Sequence, residues 1–132
     1  MLTCQDLANC IENLQPDALP RDVARLRARH EAHRASLEDP GRFLGGDMLF
    51  HREIAAVTGN AIFPALSEAM TGWLAEFYRD LVRVPGAEQA TLSEHAAILD
   101  AIEAGDPAAA EKAMVAHLTR ASALYRTREP DG

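Results

Sequence analysis

The chain has 132 residues, 48% of them hydrophobic and 25% charged, with a formal net charge of -7. That length suits one domain, and so acidic a surface repels phosphate backbones, which excludes nucleic-acid binding by this segment alone. No apolar run reaches the roughly 20 residues that span a bilayer, and no basic stretch leads into an apolar one as a signal peptide requires, so the cytoplasm is the expected compartment.

Aromatic residues make up 5% of the chain, and alternating β-branched runs and Asn-Gly or Asp-Gly hairpin turns are missing, so the reading is all-helical. The first helix is predicted over Thr3 to Leu14, with Leu7, Ile11 and Leu14 on one face and Pro16 after it. Cys4 and Cys10 lie there. Their spacing fits neither a redox pair nor a zinc knuckle, and they read as reduced thiols. Pro20 opens a second helix running to Leu37, before the Asp39-Pro40-Gly41 break. A third spans Arg42 to Thr58 and stops at Gly59-Asn60. A fourth follows from Ala61 to Val84 with Pro64 in its first turn, where a missing N–H costs little. The fifth covers Glu88 to Ala104. At the next junction Gly105 can close one helix, Asp106 can cap the following one and Pro107 suits its first position. A sixth helix then continues to Thr127. Short connections between such helices imply an antiparallel bundle of six to seven helices forming a single domain over residues 1–132.

Asp47 and His51, four residues apart, share one face of their helix, together with Ile54, Ala55 and Thr58. His95 begins an apolar stripe with Ile98, Leu99 and Ile102. His117 shares another with Ala110, Ala113, Met114, Ala121 and Leu124. Three imidazoles and a carboxylate therefore point inward from three helices. Each buried polar group without a partner costs about 1–3 kcal/mol, and a lone carboxylate more. One divalent cation satisfies all four together. Imidazole nitrogen with carboxylate oxygen suits zinc first, and also nickel, cobalt, iron or manganese.

Taken singly these residues have plainer explanations. A lone His on an apolar face is more often a hydrogen-bonded core residue, and an Asp four residues before a His is often a local pair. The coincidence of three inward histidines carries the metal reading. His30 and His33 form a competing pair on the face of Val23, Leu26 and Leu37. Arg25, Arg27, Arg29 and Arg34 crowd that helix and no carboxylate completes a set, so both are expected at the surface or its boundary.

Asp47-Met-Leu-Phe-His51, followed by Ile54-Ala-Ala and Thr58-Gly-Asn60, resembles the central motif of the FadR C-terminal domain (FCD) family. So does His95-Ala-Ala-Ile-Leu-Asp-Ala-Ile102, leading into Gly105-Asp106-Pro and then Met114-Val-Ala-His117-Leu118. These pieces cover about Pro20 to Tyr125 in the family's order and spacing. The resemblance implies the effector-binding half of a GntR-type bacterial transcription regulator, with Asp47, His51, His95 and His117 holding the metal. It further implies a small carboxylate effector beside the metal, a homodimer, no membrane, and DNA contact only through a winged-helix domain.

Two features depart from that pattern. A winged helix is not in this chain, which reads as a fragment of a longer regulator or a stand-alone sensor. The family's first helix carries an Arg and a Glu for the effector, whereas Thr3 to Gln15 holds Glu12 and no Arg. Arg120, one turn beyond His117, is the candidate substitute. The rival readings are a metal-dependent hydrolase and a helical dimerisation module without ligand. The hydrolase needs a general acid or base near the metal, and Glu94 and Glu53 are expected to turn to other sides of their helices.

Overall fold

The structure, a computed structural model, describes residues 19–57, 61–77 and 86–126. Over these it is all-helical, with α1 (Leu19–Ala35), α2 (Pro40–Ala56), α3 (Ile62–Phe77), α4 (Glu88–Glu103) and α5 (Pro107–Arg126). Five helices are thus described where six to seven are expected. The helix predicted over Thr3 to Leu14, with Cys4, Cys10 and Glu12, lies outside the described residues, as do 78–85 at the end of the predicted fourth helix.

Local chemistry accounts for the boundaries. Asp39 caps α2 in an extended conformation, its carboxylate accepting from the Arg42 N–H at 3.1 Å, and Pro40 takes the first helical position. Asp39-Pro40-Gly41 therefore starts a helix as well as ending the connection before it. Between α4 and α5 the expected junction is realised in full. Gly105 adopts φ +64°, donating to Ile102 O, and Asp106 N–H donates to Ala101 O. This is the Schellman closure that favours glycine. Asp106 then turns to cap α5 by accepting from Ala109 N–H at 3.0 Å.

The principal packing pairs are α1 with α2, α1 with α4, α2 with α3 and α4 with α5. Val23 and Leu26 of α1, Phe50, Ile54 and Val57 of α2, Ile98, Leu99 and Ile102 of α4, and Ala110 and Met114 of α5 form one core cluster. Burying each such large side chain contributes about 1.5–3 kcal/mol. Small residues on α5 let its backbone approach α4 closely, consistent with the alanine-rich stripe read from the sequence.

One expectation about α1 is corrected. His30 and His33 are buried, at 8% and 1% exposure, and not surface residues. They continue the inward stripe of Val23 and Leu26 because α1 is flanked by both α2 and α4. The arginines lie on the flanks instead. Arg27 reaches Asp100 and Glu103 across the α1–α4 seam at 2.7 and 2.6 Å, and Arg25 pairs with the buried Glu53 at 2.8 Å. Long cationic side chains border a buried face readily, since their stems lie along apolar surface while their heads stay wet.

His33 also explains Gly46. A Cβ at Gly46 would meet the His33 ring at 2.7 Å and its Cα at 3.3 Å, whereas a Cβ at Gly45 meets nothing within 4 Å. The His33 ring packs against the Phe43 ring, centroids 4.1 Å apart, and the His33 Cα cannot swing aside as a ring can. Gly46→Ala is accordingly expected to destabilise by about 1–3 kcal/mol through overpacking. Gly45→Ala should be neutral or stabilise by up to about 1 kcal/mol, and urea denaturation of the two variants side by side checks the pair.

Candidate metal centre

The four residues singled out by spacing come together. Asp47 and His51 project from adjacent turns of α2, His95 from α4 and His117 from α5, and their ligand atoms all lie within 4.8 Å of one another. Asp47 Oδ1 stands 3.3 Å from both His51 Nε2 and His95 Nε2. His117 Nε2 stands 3.3 Å from His95 Nε2 and from His51 Nε2. A first-row divalent ion binds imidazole nitrogen at about 2.0–2.1 Å and carboxylate oxygen at about 2.0–2.2 Å, which spaces its donors roughly 3.0–3.4 Å apart. The four separations of 3.3 Å fit, within a set whose atoms lie up to 4.8 Å apart. Among the described residues this is the cluster of His, Cys, Asp and Glu that could hold a metal ion.

The protein interior around the cluster makes the fit sharper. Asp47 Oδ1 is a buried atom with no hydrogen-bond partner, as is His95 Nδ1. A carboxylate oxygen left in that condition has a strong need for positive charge. The His95 ring lies flat against Phe50, centroids 4.0 Å apart at 8°, and the His51 and His117 rings stack at 5.2 Å. These contacts fix the ring planes. His95 and His117 form the closed side of the cluster, while Asp47 and His51 keep 31% and 23% of their side-chain surface exposed and form its open side.

Burial, the dominant influence, lowers the pKa of His95 to about 3, with Asp47 opposing. Burial likewise lowers His117 against the pull of Glu94. Burial would raise the Asp47 carboxyl, yet His51 and His95 together hold it well below its usual value. At neutral pH the cluster is therefore a carboxylate facing neutral His95 and His117, the protonation states that metal ligands need.

Behind His117 lies a contact that the sequence reading did not anticipate. Glu94 Oε2 is 2.7 Å from His117 Nδ1, and Arg120 grips the same carboxylate through Nε and Nη2, the latter at 2.7 Å. Glu94 turns to another side of its helix from the cluster, as expected; its contact with the back of His117 is what the sequence reading lacked. Turning aside from His95 on α4 aims it across the interhelical seam at α5. Residues at similar distances from the Gly105 turn face each other in an antiparallel pair, and that signal was available in the sequence. Arg120 is engaged with Glu94 and, through Nη2, with Thr91 Oγ1 at 3.1 Å. Glu53 faces elsewhere, toward Arg25, as expected.

His30 and His33 stay out of the cluster. The His33 ring lies tilted against His95, centroids 5.5 Å apart, and both of its nitrogens are buried without a hydrogen-bond partner. It also borders a cavity of about 390 Å³ between α1 and α2, lined by Arg29, Arg42, Gly45 and Leu49. Gly45 and Leu49 sit two residues from Asp47 and His51, which places that cavity on the opposite side of α2.

Residues 7–120 match the FCD domain family. The chain belongs to the FCD domain family. Three curated relatives, each named HTH-type transcriptional repressor NanR, come from Cronobacter sakazakii, Citrobacter rodentium and Salmonella schwarzengrund. The chain is 33%, 36% and 34% identical to them over 114, 100 and 110 residues. These alignments take in 83%, 72% and 82% of this chain but only 43%, 37% and 42% of the relatives. The FCD chain thus spans about two fifths of their length. Among the described residues no helix is long and apolar enough to cross a membrane.

The buried neutral histidines give the metal-free FCD chain a definite pH response. A His with a depressed folded-state pKa contributes stability fully above its unfolded value near 6.5, and that contribution is lost as pH falls toward the folded value. His30, His33, His95 and His117 all shift in this direction, chiefly through burial. In the presence of chelator, stability should fall as pH drops below 6.5, at up to about 1.4 kcal/mol per pH unit from His95, with His30, His33 and His117 adding in the same direction. Urea midpoints that stay constant from pH 7.5 to 5 contradict this assignment.

Proposed function

We propose that this FCD chain is the metal-dependent small-molecule sensing domain of a GntR-type transcriptional regulator. In this reading Asp47, His51, His95 and His117 hold one divalent ion, with zinc the first candidate and nickel, cobalt, iron or manganese the others. The observation that carries it is the buried Asp47 Oδ1, which has no hydrogen bond yet stands 3.3 Å from two imidazole nitrogens. Family membership supplies the regulatory context.

A bound divalent ion would supply a Lewis-acidic centre for an anionic oxygen. The chain's own residues shape how a ligand reaches it. The more exposed Asp47 and His51 side chains leave access on the α2 side, while His95 and His117 exclude water from the other. The ligand class we assign is a small organic carboxylate. Arg120, the guanidinium suggested for that ligand, is committed to Glu94 and Thr91, so the carboxylate is met chiefly at the ion. Binding then shifts the packing of α2 against α4 and α5, and a winged-helix domain outside this chain reads the shift.

A regulatory role is favoured over hydrolysis by the placing of Glu94. It contacts the outer nitrogen of His117, on the far side of the ring from the cluster, where it cannot take a proton from a molecule at the centre. Homodimer formation belongs to the same proposal. Leu66 and Met70 of α3, one turn apart and 49% and 37% exposed, are the apolar surface that supports it.

Metal is tested first. The purified chain is expected to carry about one divalent ion, and chelator should lower its melting temperature, since a ligand at 100 times its Kd stabilises by about 2.7 kcal/mol. His95→Ala and Asp47→Ala should abolish the chelator response, and a wild-type chain indifferent to chelator and to added zinc contradicts the site. The effector is tested separately: a panel of C2–C6 organic acids should raise the melting temperature of the zinc-loaded chain by several degrees and leave His51→Ala unmoved.

A further inference from the structure

The carboxylate of Glu94 does not face the four ligand atoms, yet it touches one of the ligands. We propose that Glu94 and Arg120 are positioning residues that fix the ring tautomer of His117, so that its Nε2 presents a lone pair to Asp47, His51 and His95. The proposal rests on reading that cluster as a metal centre.

The tautomer follows from proton accounting. Glu94 Oε2 and His117 Nδ1 are 2.7 Å apart, so one proton lies between them. Two nitrogens of Arg120 bind the same carboxylate, and a guanidinium only donates. A carboxylate held that way is ionised and accepts, which places the proton on Nδ1. A neutral imidazole carries a single ring proton, so Nε2 has none. That is the nitrogen 3.3 Å from His51 Nε2 and His95 Nε2.

The supporting layer is itself anchored. Arg120 Nη2 reaches Thr91 Oγ1 at 3.1 Å, so the guanidinium spans two turns of α4. Thr91 lies one turn before Glu94 and His95 on α4, and His117 and Arg120 lie one turn apart on α5. His95 provides an internal contrast, because its Nδ1 is buried with no partner. His117 is thus oriented from behind by a hydrogen bond, whereas the outer nitrogen of His95 has none and its ring is stacked on Phe50. An outer carboxylate on a metal-binding histidine fixes its orientation and raises its basicity, and losing one typically weakens metal affinity 10–100-fold.

Two measurements on the full 132-residue chain decide this. In chelator, long-range proton–nitrogen correlation spectra of histidine-labelled wild type should show His117 as the Nδ1–H tautomer. Glu94→Ala should shift it toward Nε2–H. In zinc titrations against a competing chelator, Glu94→Ala should bind 10–100-fold more weakly than wild type, with Glu94→Gln and Arg120→Gln in between. A purely structural ion pair between α4 and α5 would lower melting temperature without moving either readout. If Glu94→Ala does not fold by circular dichroism, Glu94→Gln, which preserves size and an acceptor oxygen, takes its place in both arms. An Nε2–H His117 in wild type, or a folded Glu94 variant binding zinc within twofold of wild type, overturns the proposal. A wild-type chain that binds no zinc contradicts the metal centre itself, and the metal-free spectrum still decides the Glu94 assignment.

Discussion

Four polar side chains share one small volume inside an apolar bundle, and the rest of the structure is arranged around that constraint. Left apart, each would cost about 1–3 kcal/mol in unmet hydrogen bonding. Brought together, they leave one buried oxygen and one buried nitrogen without partners. The arrangement is tolerable because a cation can satisfy the facing donors together. It also explains why the core is built from unequal parts: Phe50 covers the His95 ring, while small residues on α5 allow His117 to reach the same point.

The cluster does mechanical work in the fold. The principal packing pairs join α2 to α1 and α3, and α4 to α1 and α5. Between α2 and the α4–α5 pair the contacts run through large side chains, namely Phe50 on His95 and His51 on His117. In the proposed reading, an ion shared between these helices would brace the seam where backbones are not closest. A ligand of that proposed ion, reaching it from the α2 side, would act on the seam directly. This is the kind of bistable element through which a binding event can be transmitted.

Much of the fold and the inner site was legible in the sequence, for identifiable reasons. Asp47 and His51 fall on one face by helical repeat, His95 begins an apolar stripe and His117 lies within another, so inward direction could be read locally. Gly105-Asp106-Pro107 carries its own turn chemistry and behaves as read. What could not be read locally was which flank of a helix meets a second neighbour. His30 and His33 were misplaced for that reason, since α1 is buried on a face bordered by arginines whose stems line the seam. Glu94 was missed because its partner lies on α5, across a seam whose facing positions follow from the turn and not from α4 alone. The first predicted helix lies outside the described residues.

The Gly105 closure also bears on how the site comes into being. It joins α4 and α5 through a turn of minimal length, so His95 and His117 lie only 22 positions apart, and Glu94 and Arg120 only 26. His51, by contrast, is 66 positions from His117. Contacts close in sequence lose little chain entropy when they form, and proteins rich in them fold fast. Two ligands and their supporting carboxylate thus belong to a helical hairpin that can assemble as local structure. Asp47 and His51 arrive on a segment that must close a longer loop, which makes the α2 side the last part of the site to form and the first to open.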